Sequence, residues 1–126
     1  MEFMLSVLIG MIVMAVIDGP VIKYVIRPTL ESTAKGISRD TPNFPAAIVF
    51  YVGYVSMVVY LSQLLGDTSA EVAFYGGLLG LFAYGTYEFT NMAVLKGWSW
   101  KMVMIDTVWG VILTSAVATL AYIFTN

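Results

Sequence analysis

Four long apolar stretches, separated by short polar segments, organise this chain. They cover residues 3–26, 44–66, 72–95 and 100–124. A bilayer core of about 30 Å requires about 20 mostly apolar residues per helix, and each stretch supplies them. The links at 66–70 and 97–99 are too short for anything except antiparallel neighbours. The pattern therefore predicts an all-α fold, an up-and-down four-helix transmembrane bundle that forms one domain over residues 1–126.

The one long link, from Arg27 to Asn43, is polar and has a proline near each end. Leu30, Ala34 and Ile37 recur in it at helical spacing. This spacing is typical of a short helix that lies on the membrane surface. An ordinary solvated loop explains the segment equally well, and the sequence leaves both interpretations open.

The charged residues predict an orientation. All six basic residues flank the first and third links, whereas the two termini and the middle link carry Glu2, Asp67 and Glu71 and no Lys or Arg. Because basic residues stay on the cytoplasmic side, both termini are expected to face away from the cytoplasm. Trp98 and Trp100 are then expected as anchors at the cytoplasmic interface. Glu2 stands where a secretory signal has basic residues, so we expect the first stretch to be a retained span.

Composition excludes several functional classes. Of 126 residues, 60% are hydrophobic and 11% charged, which is too apolar for a small soluble domain with little interior. With a net charge of −2 and no basic cluster, nucleic acid is not an expected partner, and membrane lipids are the expected surroundings. Without cysteine or histidine, the chain's own residues offer no disulfide, zinc-thiolate site, haem ligand or imidazole base. An oxygen-ligated divalent cation is left open.

Three acids lie at similar depth inside the predicted spans. Asp18 and Glu88 come about 15 and 16 residues into helices that run toward the cytoplasm, which places them ~22 Å and ~24 Å along those helices. Asp106 comes about 6 residues into a helix that runs the other way, ~9 Å from its cytoplasmic start. Three helices therefore each place an acid in the cytoplasmic third of the membrane.

Helical spacing adds polar, aromatic and small residues to this layer. Gly80, Tyr84 and Glu88 recur at four-residue steps and predict one shared face on the third helix. The candidate polar pocket, opening toward the cytoplasm, comprises Asp18, Tyr51, Tyr54, Tyr84, Tyr87, Glu88, Asn91, Asp106 and Trp109. The small residues expected to allow close helix packing are Gly76, Gly77, Gly80 and Gly110.

The acids have a structural and a functional interpretation. They could form a buried network that only fixes the register of the helices. Asp18 could also sit at a helix break beside Pro20, and Lys101 could stretch toward Asp106 or Glu88. Against these readings, acids within a membrane are by default candidates for ligand binding or catalysis. The sequence does not decide between the two.

The segment Phe82–Gly110 reads FAYGTYEFTNMAVLKGWSWKMVMIDTVWG. Together with PNFPAAIVFYVGY at Pro42–Tyr54 and with Asp18, it resembles the bacterial membrane-protein family catalogued as domain of unknown function 2177. The resemblance covers nearly the whole chain and implies a four-helix protein of the bacterial inner membrane, with no implied activity. This chain has Glu88-Phe89 where family members usually carry aspartate-leucine, so an acid is retained on a longer arm. Gly19-Pro20-Val21 replaces an apolar stretch with tryptophan, which favours a kink.

Three functions are compatible with these residues. The first is a structural or accessory membrane protein that packs against partner proteins or copies of itself. The second is an enzyme or binder of lipids or other amphiphiles, in which Asp18, Glu88, Asn91 and Asp106 hold a headgroup or a divalent cation. The third is a transporter of protons or small solutes, which ranks last because the outer half of the bundle has few polar groups.

Overall fold

Four helices make up residues 2–126, the part of the chain that the computed structural model describes. Helix α1 spans Glu2–Thr33, α2 spans Phe44–Leu65, α3 spans Ser69–Val94 and α4 spans Trp100–Thr125. The described residues contain no strand, so the predicted all-α fold class is confirmed. Helices α1, α2 and α4 are long and apolar enough to cross a membrane. Helix α3 does not meet the same hydropathy level, because its glycines, tyrosines and two glutamates dilute its apolar residues.

The helix ends follow from local side-chain chemistry. The side chains of Asn43, Thr68 and Ser99 each accept a hydrogen bond from the backbone N–H three residues later, which satisfies a donor that the first turn leaves free. Gly36 and Gly97 adopt a φ of +80° in the links before α2 and α4. Only glycine takes that conformation at little cost. The sequence therefore specifies both the start of each of these helices and the reversal that precedes two of them.

Helix α1 runs farther than the sequence predicted. It passes through Pro20 without a break, widens to a π-helical turn at Ile22–Ile26, and continues to Thr33. The π-helical turn lies directly before Pro28, whose ring would otherwise clash with the carbonyl one α-helical turn earlier. The expected end at residue 26 was therefore seven residues short. Only residues 34–43 form a loop, so the first link contains no separate surface helix.

Helix α4 is the central element. Its backbone comes close to those of all three other helices, whereas the backbones of α1 and α3 do not come close to each other. The helices thus close a ring in chain order, and α4 also reaches α2 across it. The main apolar core lies within this ring and includes Met14, Val55, Val58, Val59, Val72, Leu113 and Val117.

The closest approach is between α3 and α4. Gly80 lies against the carbonyl oxygen of Gly110, and a side chain there would overlap that oxygen. A Cβ atom at Gly76 would come within 2.7 Å of the Ala118 Cβ. We call this line of contact between α3 and α4 the glycine seam. Gly77 borders it with more room, since its nearest neighbour, Val111, would lie 3.6 Å from an added Cβ. These glycines place the backbones of α3 and α4 in contact, which positions the acids on the two helices.

Candidate functional site

Asp18 joins three helices. It is the last member of a buried stripe on α1 with four-residue spacing, Ser6, Gly10, Met14 and Asp18, and only 4% of it is exposed. The Tyr51 hydroxyl on α2 donates to its Oδ2 at 2.8 Å, and the Trp109 Nε1 on α4 donates to its Oδ1 at 2.8 Å. Both oxygens of this carboxyl group therefore have a donor from another helix. Helix α1 is continuous at Asp18, so the alternative in which Asp18 sits at a helix break beside Pro20 does not hold.

Glu88 is fully buried on α3, with 0% of its surface exposed. Its Oε1 accepts a hydrogen bond of 2.9 Å from the Trp98 Nε1, in the link that precedes α4. Its Oε2 is buried and has no hydrogen-bond partner among the described residues. Since a buried acceptor without a donor is costly, this oxygen requires an explanation.

Asp106 lies on α4 close to the Glu88 side chain. It is 8% exposed, and its carboxyl group is within hydrogen-bonding reach of the Glu88 carboxyl group. Asp18 is close enough to interact with it electrostatically. The adjacent Thr107 Oγ1 is also buried without a partner among residues 2–126. The structure therefore brings together the three acids that the sequence placed at one depth.

Two tyrosines fill the space between these acids and the core. The Tyr54 hydroxyl and the Thr114 Oγ1 lie 2.7 Å apart and share a hydrogen bond between α2 and α4. The Tyr84 ring packs directly on Gly110 and meets the Tyr54 ring edge-on, with centroids 6.2 Å apart. Tyr54 belongs to the main apolar core and Tyr84 packs against it, so the two rings connect the polar layer with that core.

Two members of the predicted pocket lie elsewhere. Tyr87 is 56% exposed on the outer surface, where its ring meets Trp98 edge-on. It follows Tyr84 by three residues but precedes Glu88 by only one, and one residue is a rotation of about 100° around the helix. Asn91 is half-buried near the end of α3, where its carbonyl accepts the N–H of Leu95. Neither of these two residues belongs to the group formed by the carboxyl groups of Asp18, Glu88 and Asp106.

Trp98 is the residue that sequence reasoning missed. The sequence predicted an anchor at the interface, but the side chain is 7% exposed and packs with Met102 and Val103. Leu30, from the extended part of α1, packs against the same group. The only sequence signal for a buried Trp98 was its position directly after Gly97. That position does not show in which direction the turn orients the indole ring.

Among residues 2–126, no three acidic side chains, Asp18, Glu88 and Asp106 included, are arranged so that they could hold a metal ion. Two grooves are lined almost wholly by apolar side chains, one between α3 and α4 and the other between α1 and α4, and Trp109 is the one residue of the candidate pocket that lines the second. Asp18 is thus held by donors from α2 and α4 and Glu88 by a donor from the link before α4, and none of the three acids lines either groove.

An all-α chain with three helices able to cross a bilayer, and with acids buried between them, is a multi-helix membrane protein. The profile of the family described as "Predicted membrane protein (DUF2177)" matches residues 3–123, so the chain belongs to that family. This confirms the resemblance drawn from Phe82–Gly110. Neither the comparison with curated proteins nor that with solved structures gives a match.

Proposed function

We propose that this protein is a structural or accessory component of the bacterial inner membrane that acts by packing against another membrane protein. Four crossings with both termini outside the cytoplasm are part of this proposal. They are supported by the six basic residues at one end of the helices. Helix α3 is included because it packs along α4 over its length and links the ends of α2 and α4.

The observation that carries the proposal is the hydrogen bonding of both Asp18 carboxyl oxygens. An acid that binds a ligand needs an oxygen free to face that ligand. Both Asp18 oxygens instead accept hydrogen bonds from Tyr51 and Trp109, on two other helices. Such an arrangement fixes the positions of α1, α2 and α4 relative to one another, which supports a structural role for this part of the layer.

The middle of the protein also argues against a conduit for solutes. A small polar group near the outer end links Gln63 to Ser6 at 2.9 Å, and Ser6 to the Ala121 carbonyl at 3.3 Å. Between this group and Asp18, the α1 stripe contributes Gly10 and Met14, and Met14 is 1% exposed. Buried valines of α2 and α4 pack around them. A transported ion would have to cross this apolar layer.

Native mass spectrometry of the protein, purified from inner membranes in mild detergent, tests the proposal. We expect an assembly of fixed stoichiometry with at least one further protein chain. A single chain that carries one defined lipid would contradict the proposal, provided that Glu88→Gln loses this lipid. Glu71→Gln is the matched control, because Glu71 is an exposed acid on the same helix. That outcome would favour the binding of an amphiphile.

A further inference from the structure

The Glu88–Asp106 pair has a feature that a purely structural network does not need. Glu88 is completely buried, and its Oε2 has no donor among residues 2–126. Its other oxygen is occupied by the Trp98 N–H. The Asp106 carboxyl group, which is itself 8% exposed, lies within hydrogen-bonding reach of the Glu88 carboxyl group.

Two ionised carboxylates cannot form a hydrogen bond with each other, because both are only acceptors. Side by side in a site of low dielectric, they also repel strongly. A single proton removes both difficulties, since the protonated acid becomes a donor and the pair carries one negative charge instead of two.

Among residues 2–126, the groups that act on Asp106 include no basic side chain that would do the same. Asp18 approaches from α1 and is a third acid. Tyr84 of α3 interacts with both Asp18 and Asp106, and Tyr51 and Tyr54 approach it from α2. Each of these neighbours is an acid or an uncharged donor. The Trp98 indole, in the link before α4, is also uncharged.

We infer that Glu88 and Asp106 form a binding site for one proton, held in a hydrogen bond between Glu88 Oε2 and the Asp106 carboxyl group. The proton is taken from water, and the charge of the pair changes from −2 to −1. The hydrogen bond joins α3 to α4 beyond the contact between Gly80 and Gly110, eight residues from Gly80 on α3 and four residues from Gly110 on α4. This inference goes beyond the proposed function and does not depend on any partner.

Infrared spectroscopy of the purified chain in lipid nanodiscs at neutral pH tests the inference. The C=O stretch of a protonated carboxyl group is separate from the bands of a carboxylate, and it shifts in D₂O. We expect one such band in the wild-type protein. Glu88→Gln and Asp106→Asn should each remove it completely, because the introduced amide donates the hydrogen bond and the remaining acid ionises.

Two controls assign the band. Glu71→Gln removes an exposed acid from α3 and should leave the band unchanged. Asp18→Asn should also leave it, since the Asp18 oxygens already have donors from Tyr51 and Trp109. Loss of the band in Asp18→Asn would place the proton on Asp18 and overturn the inference. So would a band that survives in either Glu88→Gln or Asp106→Asn.

The wild-type spectrum is decisive without any variant. If it shows no protonated carboxyl group at neutral pH, the pair does not hold a proton, however well the variants fold. Labelling the protein with ¹³C at the carboxyl groups of aspartate or of glutamate then tests the assignment in the unaltered chain. A band that shifts with neither label would also overturn the inference.

Discussion

Single residues show how the membrane acids are accommodated. The donors identified for Asp18 and Glu88 are the Tyr51 hydroxyl and two indole N–H groups, those of Trp98 and Trp109. Such donors stabilise a carboxylate by hydrogen bonding without neutralising it. The aromatic residues therefore both fill volume and satisfy the acids, which explains why polar rings cluster at this depth.

Removal of one donor should destabilise the protein measurably. Tyr51→Phe deletes only the hydroxyl that donates to Asp18 Oδ2, and we expect a loss of about 1 kcal/mol in the free energy of unfolding. Unfolding in mixed detergent–lipid micelles measures it. Tyr60→Phe on the same helix is the matched control, because Tyr60 is 56% exposed on the outer surface. Equal stability of the two variants would show that the Tyr51 hydroxyl contributes nothing.

The sequence predicted the residues of the acid layer better than their partners. Helical rise alone placed Asp18, Glu88 and Asp106 at one depth, and the structure brings the three together. The donor Trp98 lies in a link, where no periodicity predicts the direction of a side chain. Helical spacing also placed Tyr87 in the pocket, because residues three or four positions apart cover a wide face of a helix. The row of buried residues on α3 is narrower than that face and leaves Tyr87 outside it.

At the scale of the helices, the seam between α3 and α4 is the most sensitive contact. Gly80 faces the Gly110 carbonyl oxygen, so an alanine there has to push the two backbones apart. The rest of the seam repeats the pattern with small residues on both sides. The close packing of α3 against α4 brings the Glu88 and Asp106 side chains within reach of each other.

Gly80→Ala should therefore cost about 1–3 kcal/mol of unfolding free energy, which is typical of overpacking in a tight core. Gly53→Ala is the control, because an added Cβ at Gly53 has no neighbour within 4 Å. There the higher helix propensity of alanine should leave stability equal or raise it by about 1 kcal/mol. The expected order of stability would be disproved if Gly80→Ala unfolded at the same denaturant concentration as Gly53→Ala.

Helix ends were harder to predict than helix positions. Pro28 is normally a signal that a helix stops just before it, yet α1 continues to Thr33. The π-helical turn at Ile22–Ile26 lets the helix accommodate Pro28. The packing of Leu30 against Trp98 stabilises the part of α1 that follows this proline. Such packing depends on the fold of a distant link, and local sequence does not contain it.

At the scale of the whole molecule, the membrane topology inferred from the distribution of charge remains a prediction. The chain has no cysteine, so single introduced cysteines give an unambiguous accessibility signal. Lys35→Cys and Lys96→Cys should react only with a maleimide that crosses the inner membrane. Asp67→Cys and Asn126→Cys should also react with one that does not. All four positions are exposed.

This labelling also decides whether α3 crosses the bilayer, which its modest hydropathy leaves to be tested. Asp67 and Lys96 lie on either side of α3, so opposite labelling establishes a crossing. If both positions reacted with the impermeant reagent, α3 would lie along or outside the membrane and the four-span topology would be wrong.

The stability of Asp18→Asn, measured on the purified protein without added ligand, tests most directly whether the acid layer holds the helices together. Asparagine has the size of aspartate and can accept from Trp109 while its N–H₂ donates to a turned Tyr51 hydroxyl, but both hydrogen bonds then lose the carboxylate charge that strengthens them. We predict a loss of about 1–3 kcal/mol in the free energy of unfolding. Acids that exist to bind a ligand commonly reduce the stability of the empty protein. An Asp18→Asn protein as stable as the wild type, or more stable, would contradict the account.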